Sequence, residues 1–277
     1  MTTKNNEKVT ALESLWACGM DLSVHHQGKP CEWQEYVASM VFTKSVLNAG
    51  SLLRVTPSSR FCSSIDGIVA WDLCSVASIA RNIIETYLTL HYFCQSLSDT
   101  EWQLRKLVWQ FHEISERVAM ATACIPNSGL LAKANTEQKK VKSALIGNPD
   151  FQKLPTSLQN GILKCRRSRL LSNEELCVSA GISVNYHKGM FKYLSNHTHT
   201  SPFSISDLDS VRTAQPDTIC AFNVAVDTAL GHTALALRDF SKMFQSPKHL
   251  IAETAVTQIG LWEGIFLWEK SSFYNLK

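Results

Sequence analysis

Apolar positions recur at three- and four-residue intervals along almost the whole chain, and the sustained apolar/polar alternation of a half-buried strand is missing. Residues 7–25 and 32–53 read as the first two helices. In the second, Trp33, Val37, Met40, Val41 and Leu47 mark the expected inward stripe, broken by Lys44. Beyond the "TPSSRF" connection a long helix is expected from Ser64 to Gln95. Ser98, with Glu101 three residues on, forms a capping box that opens the next helix, 99–124, which stops before Pro126. A lysine-bearing amphipathic helix follows at 130–146 and ends at "GNP". Shorter helices are expected at 155–165 and 173–180, the latter entered through Ser172 with Glu175. A helix over 183–196 runs into "SNHTHTSPF". Pro202 and Pro216 then bracket an extended or irregular connection, because proline disfavours helix at the residue before it. Helices at 217–245 and 249–269 finish the chain. The pattern predicts an all-α, multi-helix bundle folded as a single domain over 1–277, with residues 1–6 disordered and 126–182 a more peripheral excursion.

Composition changes this picture little. Of the 277 residues, 45% are hydrophobic and 18% charged, as in ordinary globular proteins. A net charge of +3 is too small to imply nucleic-acid binding by itself, although "KCRRSR" concentrates Lys164, Arg166, Arg167 and Arg169. That cluster reads either as a solvated helix end or as a patch contacting phosphate. The nine cysteines include no CxxC pair, and Cys18, Cys74, Cys94 and Cys220 fall in apolar helical stretches. With an odd count and no secretory signal pattern, a reducing cytoplasm is expected, the thiols serving as small core residues. Residues 218–237 are apolar enough to suggest a membrane span. Asp227 near the middle, which would cost about 3 kcal/mol at mid-bilayer, favours a buried core helix and no membrane association.

Candidate chemistry sits where polar residues interrupt apolar helices. In residues 73–93 the full charges are Arg81 and Glu85, four apart and so on one face. A buried ion pair joining helices and a wet ligand or catalytic pocket are both open, since an unpaired buried charge costs several kcal/mol. Arg105 and His112, seven apart, share a face of the following helix. Tyr193, Ser195, His197 and His199 crowd the end of another. There the helix dipole favours one cationic histidine, whereas two histidines alternating with hydroxyls suggest a site wall. His197 and His199 could ligate a metal with Glu85 or His112, but no HExxH or Glu-x-x-His signature accompanies them. Ser195 lacks a glycine-rich nucleophile elbow.

With "ARNIIETYLTLHYF" and, much later, "YLSNHTHTSPF", the chain resembles an uncharacterised domain-of-unknown-function family grouped with HEPN-like helical proteins. The resemblance implies an HEPN-like core with additional helices, in which Arg81, Glu85, Tyr193, Ser195 and His199 or His197 converge in one pocket. HEPN proteins are often metal-independent ribonucleases of toxin and antiviral systems, acting as dimers through an R-x4-6-H motif. Arg105 and His112 fit its spacing, although Lys106 departs from the polar residue usual after the arginine. What the resemblance implies is RNA as substrate, with a homodimer, an antitoxin or an effector as partner. No cofactor would be needed. His199 or His197 would move the proton from a ribose 2′-hydroxyl, and Arg81 or Arg105 would stabilise the phosphate. Glu85 would orient them and Tyr193 would hold a base. Ser195, Arg105 and His112, with Arg166 and Arg167 of the basic cluster, are the other expected substrate contacts. The alternative is a non-catalytic module binding a ligand or protein, in which the Arg/Glu/His cluster is structural.

Overall fold

The computed structural model describes residues 3–57, 59–62, 72–126, 128–212 and 216–274. Among the described residues all regular structure is helical. The elements are α1 (Thr3–His26), α2 (Trp33–Val55), α3 (Leu73–Cys94), α4 (Asp99–Cys124), α5 (Gly129–Gly147), α6 (Pro149–Gln152), α7 (Thr156–Leu163), α8 (Asn173–Ala180), α9 (Val184–Thr198), α10 (Pro202–Arg212), α11 (Pro216–Met243) and α12 (Glu253–Tyr274). A 3₁₀ turn, Lys248–Leu250, precedes α12. The chain divides into two compact units, one built from residues 1–94 and 173–277, the other from residues 95–172.

In the first unit α3 is central. It packs most heavily on α2 and α11 and then on α9. Ile83, Ile84, Tyr87, Leu88, Leu90, Tyr92 and Phe93 are all fully buried, and side chains of this size contribute about 1.5–3 kcal/mol each on leaving water. The face that α2 turns inward is Val37, Ala38, Phe42, Ser45, Val46, Ala49, Leu52 and Leu53, so Val37 is buried as expected. Met40 and Leu47, expected on that face, are exposed. The expected stripe is therefore rotated about the helix axis from the true one, which runs through the large Phe42, Val46, Leu52 and Leu53 as well as the small Ala38, Ser45 and Ala49.

Residues 219–243 of α11 are long and apolar enough to cross a membrane, yet two thirds of that window is buried within the unit. Its polar groups find partners there: Asp227 pairs with Lys8 at 2.6 Å, and His232 Nδ1 lies 2.7 Å from the Thr228 carbonyl. Gly231 lets α12 approach closely, because a Cβ at that position would come within 2.8 Å of the Trp262 ring. Gly231→Ala is therefore expected to destabilise the fold by about 1–3 kcal/mol, read as a shift in denaturation midpoint. An unchanged midpoint would mean that the ring moves aside freely. Trp262 and Phe266 are core residues of this interface. The side chain of Trp268, further along α12, lies outside the described residues.

The second unit has its own core. Leu104, Val108 and Phe111 of α4 meet Leu145 of α5, Phe151 of α6 and Ile162 of α7. The capping box at Ser98 and Glu101 forms as expected, with Ser98 N donating to Glu101 Oε2 at 3.1 Å. The unit starts at residue 95, so α4 packs with the segment that the sequence pattern set apart from residue 126 onward.

Further expectations need correction, and one lies partly outside the described residues. The connection between Pro202 and Pro216 is largely helical, because both prolines sit at the first position of a helix, where their missing N–H costs nothing. The polar start is helical from Thr3 rather than disordered through residue 6, with Met1 and Thr2 outside the described residues. α3 is described from Leu73, and residues 64–71 of its expected span lie outside the described residues. Among the cysteines, Cys18 and Cys177 are buried, but Cys220 is exposed and Cys74 and Cys94 are only half-buried.

Candidate functional site

α3 and α9 lie side by side, and the two sequence blocks meet along that seam. Arg81 Nε donates to Ser195 Oγ at 2.9 Å, and its terminal nitrogen donates to Glu85 Oε1 at 3.2 Å. The guanidinium also stacks over the Phe191 ring, 4.6 Å from its centroid. Ser195 Oγ in turn donates a hydrogen bond to the Phe191 carbonyl at 2.6 Å, and one turn along Ser78 donates to Thr198 at 3.3 Å. The Arg81–Glu85 pair is not buried: the side chains are 24% and 44% exposed, so water screens the pair and its net stabilisation is below about 1 kcal/mol.

Tyr193 and His197 do not join this cluster. They stand two residues from Ser195 in either direction, which places them on the far side of α9. There the His197 ring is buried between Tyr193 and Phe203, with centroids 4.9 and 5.4 Å away. Its Nε2 lies 3.4 Å from Asp207 Oδ2, long for a hydrogen bond. Burial lowers the His197 pKa despite the pull of Asp207. It raises the Tyr193 phenol to about 12, helped by Asp207 and Cys220. The tyrosine and serine of the block therefore work on opposite faces of one helix.

His199 ends α9 in an extended conformation, exposed, with its carbonyl accepting from Ser201 N at 2.7 Å and Ser204 Oγ at 2.8 Å. It lies at one end of an open cleft of about 540 Å³ that follows the outer face of α9. His187, Lys188, Lys192, Ser195 and Asn196 line the cleft, with Asn173 and Glu174 contributed by α8. Lys188 is paired with Glu174 at 2.7 Å. Lys192 makes no ion pair among the described residues. His187 is buried with Nδ1 unpartnered, and burial lowers its pKa, although Glu174 opposes the shift. Twelve residues of helix separate His187 from His199, about 18 Å, too far for both to act on one bond. The lysines and His187 went unnoticed in the sequence, although Lys188, Lys192 and Asn196 recur every four residues.

The other four candidates belong to the second unit. Arg105 is buried, donates to Gln95 at 2.8 Å and stacks on Trp102, and so is held as a core group rather than presented to solvent. His112 is half-buried on the same helix. Arg166 and Arg167 are exposed just after α7, at a turn where Cys165 adopts φ 54°. The Arg167 stem runs along Gly161, an arrangement that suits a solvated helix end.

The segment carrying α3, the whole second unit and α8 to α10 is also the segment recognised by comparison. A protein family of unknown function, DUF5677, matches residues 60–214. No curated protein and no solved structure matches the chain. Since the match covers more than half of the 277 residues, and with them Arg81, Glu85, Ser195, His197 and His199, the chain belongs to the DUF5677 family.

Proposed function

We propose that the chain is a binding protein that holds a phosphate-bearing ligand, RNA in the first instance, along the outer face of α9. Arg81, Glu85 and Ser195 keep that face in place. One observation carries this reading: the Arg81 fork is taken up by Ser195, Glu85 and the Phe191 ring, a tie between α3 and α9 rather than a group aimed at open space. Beside the tie, Lys192 and His199 are exposed on the cleft, and Lys188 is paired with Glu174, a partner that an arriving phosphate would have to displace. An HEPN-like core, a homodimer and a cytoplasmic location belong to the same reading.

A second reading, metal-independent RNA cleavage, is favoured by the exposed His199 on the same cleft as Lys192. One assay separates the two. A labelled single-stranded RNA is titrated with wild-type protein in EDTA, and both anisotropy and strand length are followed. Saturable binding with intact RNA is expected. Lys192→Ala should weaken it for all sequences alike and lower the salt slope by about one. Strand scission lost in His199→Ala would establish the ribonuclease instead. No binding by wild type would remove both readings.

A further inference from the structure

A different chain of hydrogen bonds in the first unit links four helices. Asp239 of α11 is buried, and its Oδ1 accepts from both Arg238 Nε and a terminal Arg238 nitrogen at 2.7 Å. Its Oδ2 accepts from Tyr87 Oη at 3.3 Å and faces His91 Nδ1 at 2.7 Å. Arg238 continues to Glu263 of α12 at 3.0 Å and to Tyr87 Oη at 3.3 Å. On the other edge of the His91 ring, Nε2 lies 3.0 Å from Ser179 Oγ, on the last turn of α8, and the same hydroxyl lies 2.9 Å from the Leu176 carbonyl.

The partners fix the proton on His91 Nδ1, while the Ser179 hydroxyl turns between two acceptors, His91 Nε2 and the Leu176 carbonyl. Burial alone would raise the Asp239 pKa, but His91 and the Arg238 guanidinium hold it below the usual carboxylate range. A carboxylate only accepts, so His91 carries its proton on Nδ1, and in the neutral ring the Nε2 lone pair faces Ser179. Exposure rises along the chain: the Asp239 side chain is 9% exposed, that of His91 13%, and Ser179 is exposed. A purely structural Arg238–Asp239–Tyr87 knot does not need the Ser179 end. General-base activation of a hydroxyl needs that end, a buried anion behind the histidine, and a nucleophile open to solvent.

We propose that Ser179, His91 and Asp239 form an acyl-transfer triad, with Ser179 Oγ as nucleophile toward small carboxylic esters arriving from solvent. Ser179 Oγ bonds to the ester carbonyl carbon as its proton passes to His91 Nε2. The carbon–alkoxy bond then breaks, and the alcohol leaves with the proton from His91. Water, deprotonated by the same nitrogen, hydrolyses the acyl-serine to the acid and restores Ser179. Asp239 acts as a positioning residue, and Arg238 and Tyr87 fix it.

Diisopropyl fluorophosphate tests the nucleophile directly, because its phosphorus takes Ser179 Oγ while fluoride leaves and the proton goes to His91. Intact mass and peptide mapping on the folded full chain should show one adduct, on Ser179, with none on other serines. Ser179→Ala, an exposed substitution that leaves the fold intact, should abolish it. It should also remove a one-per-chain burst with 4-nitrophenyl acetate. His91→Gln, where its melting curve matches wild type, should slow labelling by about a hundredfold. An unlabelled wild-type chain, labelling scattered over several serines, or equal labelling of folded His91→Gln would overturn the proposal.

Discussion

Asp239→Ala should unfold the first unit more readily than any single surface change, at a cost of about 3–5 kcal/mol. The carboxylate accepts from Arg238, His91 and Tyr87 at once. Removing it leaves a partly buried guanidinium with only Glu263 and Tyr87, and leaves His91 Nδ1–H facing a void. The wild-type contribution depends on pH with a definite sign. Asp239 has a folded pKa below its ordinary value, so its stabilisation is complete above about pH 4 and is lost as pH falls through the folded value. Denaturant midpoints of Asp239→Ala and wild type should therefore be furthest apart near neutrality and converge in strong acid. Ser179→Ala, at the exposed end of the same chain, should move the midpoint by no more than about half a kcal/mol. A loss below about 1 kcal/mol for Asp239→Ala would mean that Arg238 re-pairs with Glu263 and the carboxylate ties nothing.

The helical class and most helix positions were legible because the relevant signals are local. The Ser98 and Glu101 capping box and the 3.6-residue apolar period act within one helix, and both appear where expected. Errors arose where a local rule was carried one residue too far. Proline restricts the residue before it, and at Pro202 and Pro216 it begins a helix rather than excluding one. On α2 the buried face runs through Ala38, Phe42, Ser45, Ala49, Leu52 and Leu53, while Met40 and Leu47 face water, because the apolar residues of this helix allow two stripes and only packing on α3 selects one.

The candidate site was legible in part for the same reason. The i,i+4 spacing places Arg81 and Glu85 together, and they pair at 3.2 Å. Ser195 as the partner of Arg81 is a long-range contact, reached by comparing whole sequence blocks rather than by spacing. The same blocks suggested that Tyr193 and Ser195 converge, yet helix geometry separates them to opposite faces, and a simple count along α9 reveals it. The Asp239, Arg238, His91 and Tyr87 cluster was not legible, because its two halves, Tyr87 with His91 and Arg238 with Asp239, lie about 150 positions apart in the chain and meet only through the packing of α3 on α11.

Acid should destabilise the first unit well above the pH at which carboxylates protonate, and His232 is the principal cause. Its ring is fully buried between Tyr87 and Phe266, with centroids 5.7 and 5.9 Å away. Nδ1–H donates to the Thr228 carbonyl at 2.7 Å, and Nε2 has no partner to share a second proton. Burial lowers its pKa from 6.5 to about 4, with the Thr228 bond opposing the shift and His187 adding to it. The folded chain thus favours the neutral ring. Its contribution is complete above pH 6.5 and is lost as pH falls from 6.5 through about 4, a total of about 3 kcal/mol. Burial lowers His187 and His197 as well, so they act in the same direction and a residual slope should survive in any His232 variant. Denaturant titrations at half-unit steps from pH 7.5 to 4.5 should show wild-type stability falling steadily below pH 6.5. His232→Leu, which cannot charge, should follow a distinctly shallower line. Parallel lines for the two proteins would show that His232 takes up no proton on unfolding and that the ring is already solvated in the native state.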